Sequence, residues 1–380
     1  MSERDVIRKS LSYLHASGDT LQEVYKMIEK EKSKKGRPIY RTALIAAIIA
    51  VLLIGTAAAI SYSSLSEGLK GRLRLTEEEA IALENTELVT CPSASDTHDG
   101  VTVAIEKAVV NGEVAHLALR IEGMTIPEGY RLGWDGPEVT IDGESAPGWG
   151  AGVYEGLHWN GTRFVYDDGT PAEMAEEGYP IPRVVREDGS VEFDIDVYGL
   201  GETGSLLGKE ITVTLYRLGF APTGYEPVEA ATFTAEGPWV LTWTAEGSDT
   251  SRTWALNAPL GHGITVKSVT LSQLSAHIEY AFPPMTIVGD HAYDENGDEI
   301  LEDPPELYTI VMKDGTEYSG VLGAGTSEPD VDEASELENG FTYSADMELT
   351  HVVDPDEVAA LVFRAGEKGN RQTYTVALDG

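Results

Sequence analysis

Three hydrophobic–polar patterns follow one another along the chain. The first, over residues 3–35, has helical spacing. In RDVIRKSLSYLHA, Val6, Ile7, Leu11 and Leu14 fall near one face, and Gly18 ends the run. DTLQEVYKMIEKEK restarts it: Thr20 and Glu23 form a capping box, and Leu21, Val24, Tyr25 and Ile28 make an apolar stripe. Two helices this short cannot bury a core of their own. Their stripes therefore predict a partner surface at Leu11, Leu14, Leu21, Val24, Tyr25 and Ile28. A stalk that packs on nothing is the plainer alternative.

The second pattern is unbroken apolarity. No charged residue occurs between Arg41 and Glu67. The 18 residues from Ala43 to Ile60 would make a helix of about 27 Å, close to the thickness of a bilayer's hydrocarbon core. A helix buried in a soluble domain is rarely apolar on every face. Lys32, Lys34, Lys35, Arg37 and Arg41 crowd its N-terminal side, and no base follows until Lys70. The positive-inside rule then puts residues 1–41 in the cytoplasm and the long remainder outside. A cleaved secretory signal is the rival, with Ala57-Ala58-Ala59 as its cleavage site. Signals lie within the first ~15–30 residues, however, and here about 40 residues come first. The reading is a retained anchor over residues 42–62.

The third pattern has period two. After a connector, residues 63–98, come VTVAIEKAVV, EVAHLALRIE, SVEFDIDVYG, KEITVTLYRL and PWVLTWTA, alternating and rich in β-branched residues. Turn signals separate them, including Asn111-Gly112, Asp142-Gly143 and Asp188-Gly189. Such a series predicts antiparallel sandwiches. Within the connector, LTEEEAIALENTEL predicts a helix with Thr76 as N-cap and Glu77, Glu78 and Glu79 in its first turn. CPSASDTHDG reads as a loop.

The strand pattern then starts again. GVTVAIEKAVVNGEVAHLALRIEG and GITVKSVTLSQLSAHIEYAF both open Gly-[Val/Ile]-Thr-Val and return through Ala-His, at Ala115-His116 and Ala276-His277. They read as the first hairpins of two similar domains, with Asn257–Gly263 as the linker. The fold expected is mainly β: two tandem antiparallel immunoglobulin-like β-sandwich domains outside, over 99–256 and 257–380, one transmembrane helix, and a short α-helical cytoplasmic N-terminus.

Charge sharpens this division. Residues 1–41 carry 10 Lys/Arg against 6 Asp/Glu, net +4; the remainder carries 17 against 58, net −41, and the two sum to the overall −37. So acidic an exterior disfavours direct nucleic-acid binding. It keeps an exported domain soluble. A single cysteine, Cys91, rules out an intramolecular disulfide and argues against a structural zinc site. LVTC, ending at Cys91, looks like a lipobox but follows no apolar run, so it reads as chance.

A basic cytoplasmic segment, one span and a β-rich exterior with the Gly-[Val/Ile]-Thr-Val hairpin, GPWVLTWTAEG and GITVKSVTLSQLSAHIEY form a familiar set. It resembles the domain of unknown function 4179 family of Gram-positive single-pass membrane proteins, and its second half resembles the companion domain of unknown function 5643. The leader LSYLHASGDTLQEVYKMIEKEK is similar to those of anti-sigma proteins in such bacteria. The resemblance implies a partner of an extracytoplasmic-function sigma factor and carries no enzymatic residue. The His-x3-Cys-x2-Cys zinc motif of many anti-sigma factors is missing, since His15 has no cysteine nearby. An anti-sigma leader here would be metal-free.

Catalytic signatures are wanting. There is no Gly-x-Ser-x-Gly, His-Glu-x-x-His, P-loop or dinucleotide fingerprint. Asp194 and Asp196 share a strand face, but Phe193, Ile195 and Val197 take the other, so the acids are expected in water. DHAYDENGDEILED has calcium-loop composition, yet Glu299 and Pro305 occupy the required glycine and last-ligand positions; Asn296-Gly297 reads as a hairpin turn, with a weak calcium site of another kind as the alternative. Trp134, Trp149 and Trp159 lie in an aromatic-rich stretch that could stack on a cell-wall glycan or fill a core.

The sequence thus points to a non-enzymatic, membrane-anchored envelope sensor or regulator without cofactor or metal. Residues 42–62 meet the lipid bilayer, residues 1–38 a sigma factor, and the exterior an envelope ligand or protein. The alternative is an anchored cell-surface binding or adhesion module without a signalling role.

Overall fold

The structure, a computed structural model, describes residues 65–159, 162–175, 178–199, 204–222, 231–284, 286–288, 291–293, 299–301, 305–328, 340–366 and 371–378. The leader stripes and the predicted span 42–62 lie outside the described residues. Among those that are described, no helix is long and apolar enough to cross a membrane. Ser66–Gly380 form a compact unit.

This unit begins with two short helices, α1 (Glu67–Arg72) and α2 (Glu77–Glu84). Ser66 caps α1 by accepting from the Leu69 amide. Thr76 caps α2, as the sequence predicts, in a reciprocal capping box with Glu79. The rest is β. Strands β1 (Val89–Thr90), β2 (Ser95–His98), β3 (Val101–Val110), β4 (Val114–Glu122), β5 (Tyr130–Trp134), β6 (Glu138–Ile141), β7 (Glu144–Ser145) and β8 (Gly148–Val153) come first. Then follow β9 (Leu157–Trp159), β10 (Phe164–Tyr166), β11 (Val191–Tyr198), β12 (Glu210–Pro222) and β13 (Thr232–Thr244). One main sheet runs β1-β3-β4-β11-β8 with β2 also on β3; the second runs β13-β12-β6-β7 with β5 on β12, and β9 and β10 pair as a separate two-stranded sheet. The stretch read as a loop, CPSASDTHDG, contains β2. Its polar residues give little strand signal, but its backbone pairs with the free edge of β3 from Ser95↔Ala104 to His98↔Val101.

The second body contains β14 (Ser251–Pro259), β15 (Thr265–Ser272), β16 (Ser275–Phe282), β17 (Thr286–Val288), β18 (His291–Tyr293), β19 (Glu299–Leu301) and β20 (Glu306–Met312). It ends with β21 (Glu317–Ser319), β22 (Leu322–Glu328), β23 (Phe341–Leu349), β24 (Val358–Ala365) and β25 (Gln372–Ala377). Its sheets run β14-β15-β16-β23-β22 and β21-β20-β24-β25, with a small sheet β17-β18-β19 beside them. The expected linker Asn257–Gly263 is corrected here. β14 pairs with β15, bulging between Ala255 and Ala258, and Trp254 and Leu260 sit in the second core. The turn residues there close a hairpin rather than join domains. The acidic stretch has its flanks paired as an antiparallel hairpin, Ala292↔Leu301 and Tyr293↔Glu299.

The two bodies repeat one topology. In chain order β3, β4, β6, β7, β8, β11, β12, β13 correspond to β15, β16, β20, β21, β22, β23, β24, β25. All six pairings match: β3–β4, β4–β11, β11–β8, β6–β7, β6–β12 and β12–β13 have counterparts in the second set. Each body has one apolar core fed by both of its main sheets. Leu117, Phe193, Ile195, Leu215, Trp239 and Leu241 belong to the first; Val269, Ile278, Tyr280, Ile310, Leu361 and Phe363 to the second. The Trp239 indole crosses the first core and donates to the Val101 carbonyl at 2.9 Å.

Alternation predicts one dry and one wet face for each central strand. β3, β4 and β11 instead are buried on both faces over most of their length. Helix α1 lies on the second face of β4 and β11.

Candidate functional site: a buried ionic junction

That covered face is where the polar residues of the alternation sit. Glu192, Asp194, Asp196 and Tyr198 lie on one side of β11, and His116 and Arg120 on the same side of neighbouring β4. The expectation that Asp194 and Asp196 face water is overturned. Glu192 is fully buried, Asp196 nearly so, and Asp194 buries Oδ1 without a hydrogen-bond partner. A polar face stays wet only if nothing covers it, and α1 covers this one.

Gly68 sets how closely the helix approaches. A Cβ there would stand 2.4 Å from Glu192 Oε1 and 2.8 Å from Asp194 Oδ2. Glu192 is held in place by Arg186, whose other nitrogen bonds Glu106 at 2.8 Å. At the far end of α1, Arg72 reaches Asp196 Oδ2 at 2.8 Å and Glu348 Oε2 at 3.1 Å. Glu348 belongs to β23, so one guanidinium on the helix binds both bodies. Tyr198 donates to the same Glu348 oxygen at 3.0 Å. His116 gives Nδ1 to Asp196 at 2.7 Å and turns Nε2 toward Glu348 Oε1 at 3.7 Å, too long for a hydrogen bond.

Five carboxyls, Glu106, Glu192, Asp194, Asp196 and Glu348, thus share the guanidiniums of Arg72 and Arg186 and one imidazole. So many buried acids cannot all be charged. Burial, with Glu192 and Asp196 beside it, pushes Asp194 well above the usual carboxylate range. Burial pushes Asp196 up as well, but the hydrogen bond from His116 and the Arg72 guanidinium outweigh it and hold the carboxyl below that range. Adjacent acids on one strand are therefore driven apart. His116 Nε2, Glu192 Oε1, Asp194 Oδ1 and Glu348 Oε1 are buried without hydrogen-bond partners.

The repeat extends to these side chains. His277 on β16 gives Nδ1 to Asp346 on β23 at 2.7 Å, as His116 does to Asp196. The registers agree: His116↔Asp196 and His277↔Asp346. Two residues on, Tyr198 and Glu348 hold equivalent positions and bond to each other. The hairpin turns also meet: buried Asn111 donates to Ser272 Oγ at 2.7 Å and Ser275 Oγ at 3.1 Å. Glu113 stands near Ser275, His277 and Asp346, and burial pushes its carboxyl up. The bodies meet through equivalent turns and strand ends, as the halves of an isologous dimer do.

No family model and no curated protein sequence matches the chain. Among solved structures it is similar to a conserved domain protein from Bacillus anthracis, known from a crystal structure. The likeness has a TM-score of 0.42 at 12% identity, over 82% of this chain and 86% of that one.

The predicted glycan aromatics are placed separately. Trp134 packs beside the first core with its ring 5.1 Å from that of Phe193. Trp149 is 41% exposed on the edge strand β8. Trp159 ends β9, its backbone opposite Phe164, and its side chain lies outside the described residues. Cys91 is exposed. The ionic junction itself was half legible. The Ala-His repeat marked His116 and His277, but Arg72 and Glu348 are 276 residues apart, and nothing local links them.

Proposed function

We propose that the protein is a non-enzymatic envelope regulator anchored by residues 42–62, with residues 1–38 engaging a sigma factor in the cytoplasm and residues 63–380 outside. The observation that carries this reading is the grip on α1. The first helix after the predicted span is bonded through Arg72 to both β bodies at once. A ligand or force that shifts one body against the other acts on the segment leading into the membrane. A plain adhesion module needs no such tie. The strand order β3-β4-β11-β8 over β13-β12-β6 follows the A-B-E-D and G-F-C order of immunoglobulin sandwiches and supports an immunoglobulin-like reading of both bodies. The resemblance to the domain of unknown function 4179 family belongs to the same proposal.

Cys91 provides the test of topology, being the single cysteine of the chain and exposed. A membrane-impermeant maleimide added to intact cells is expected to label it, and Cys91→Ser to abolish labelling. Full-length protein is expected to co-purify with one host sigma factor, and deletion of residues 1–38 to end the capture. Labelling without capture of any sigma factor would favour the anchored binding module.

A further inference from the structure

Helix α2 and the second body enclose a cleft of about 620 Å³, within the roughly 300–1,000 Å³ of clefts that bind ligands. Its floor is apolar, with Leu75, Leu83 and Leu88 from the connector side and Met312, Val352 and Val353 from the second body. Its rim is acidic, with Glu79, Asp314, Asp354, Asp356 and Glu357. Two bases stand near the rim: Arg252 is 3.7 Å from Asp356, and Lys313, which donates to the Asp356 main-chain carbonyl, is 4.0 Å from the Glu357 carboxylate. Both acids remain well exposed, at 73% and 59%. Ile81, on the same helix α2, is 60% exposed.

We propose that this cleft docks a cationic amphipathic peptide, its apolar side chains on the floor and its Lys or Arg residues against the rim. Charge complementarity selects this occupant. A neutral apolar ligand would strip water from the carboxylates and leave them unpaired. An acidic peptide or a nucleic acid would be repelled by the rim and by an exterior of net charge −41 (17 Lys/Arg against 58 Asp/Glu). An apolar floor rimmed by charge is the form of helix-in-groove recognition. The inference goes beyond the regulator reading and does not depend on it, since an anchored binding module would dock the same peptide.

The test uses the full chain in zwitterionic lipid nanodiscs, with empty nanodiscs as blank. The probe is a fluorescent Leu–Lys amphipathic helical peptide; a scrambled peptide of the same composition and a Leu–Glu counterpart are the controls. Asp314→Asn/Asp356→Asn/Glu357→Gln removes rim charge. The first of these substitutions keeps a side-chain oxygen to accept from the Thr316 amide, as Asp314 does at 2.8 Å. Ala82→Trp fills the cleft from an exposed helix position. Each variant is expected to weaken binding by about tenfold or more, with thermal melting unchanged, and added salt is expected to weaken wild-type binding. Equal binding of the scrambled or Leu–Glu peptide, or undiminished binding by Ala82→Trp, would overturn the proposal.

Discussion

At the residue scale, Gly68 and the acid pair beneath it decide how α1 sits. Glu192 Oε1 is the end of a long side chain, and on a surface it would swing away from an added methyl. Here it is buried and pinned by Arg186. Gly68→Ala is therefore expected to cost about 1–3 kcal/mol, as overpacking does, read as a lower urea midpoint at unchanged slope. An unshifted midpoint would mean that the helix does not rest on the carboxylates. Asp194 gives a second check through pH. Its folded pKa is raised, so the stability it permits is present below the unfolded value and is lost as pH rises through the folded one. Asp196 is depressed and acts oppositely: its contribution is present above the unfolded value and is lost as pH falls through the folded one. Asp194→Asn keeps the shape without the charge. Its melting temperature is expected to exceed that of wild type at alkaline pH and to converge with it as pH falls toward the unfolded value of about 3.9. Parallel melting curves across that range would refute a neutral Asp194.

At the scale of elements, alternation and caps were readable and coverage was not. Thr76 and Glu79 announce α2 because a capping box is made of neighbours. β3, β4, β11 and β12 are readable because successive side chains point to opposite faces, so apolar and polar residues alternate along the strand. The same alternation marks Glu192, Asp194 and Asp196 as one face but says nothing of what lies on it. Six residues of α1 supply that cover, and a helix so short leaves little pattern. β2 was missed because Ser, Asp, Thr and His make a poor strand signal, and pairing to an open edge overrides propensity. The misplaced linker has a related cause: Asn257 and Gly263 are turn residues, and a hairpin uses the same residues as a domain boundary. His277 adds a pH response at this scale. The hydrogen bond it donates to Asp346 raises its pKa, so its contribution to holding β16 on β23 is complete below the unfolded value of about 6.5 and fades as pH climbs through the folded one. A His277→Gln variant is expected to lose that part of the pH dependence, measured as the melting temperature from mildly acidic to alkaline pH.

At the scale of the whole molecule, the repeat and the junction belong together. One topology occurs twice, and equivalent turns and strand ends meet, so that each His–Asp pair faces a glutamate of the other body: Glu348 toward His116, and Glu113 toward His277. The arrangement is closed for the bodies and open to one addition, α1, whose Arg72 enters between Asp196 and Glu348. Breaking one partner of such a buried set is costly, about 3–5 kcal/mol, because the other charges are left without compensation. Glu348 of the second body holds both the helix and the first body. Amide hydrogen exchange of full-length Glu348→Ala against wild type tests this most directly. Faster exchange is expected in residues 67–72 and in the turn 111–114, with strands β12 and β24 protected as before. Unchanged exchange in 67–72, or a uniform acceleration confined to the second body, would contradict it.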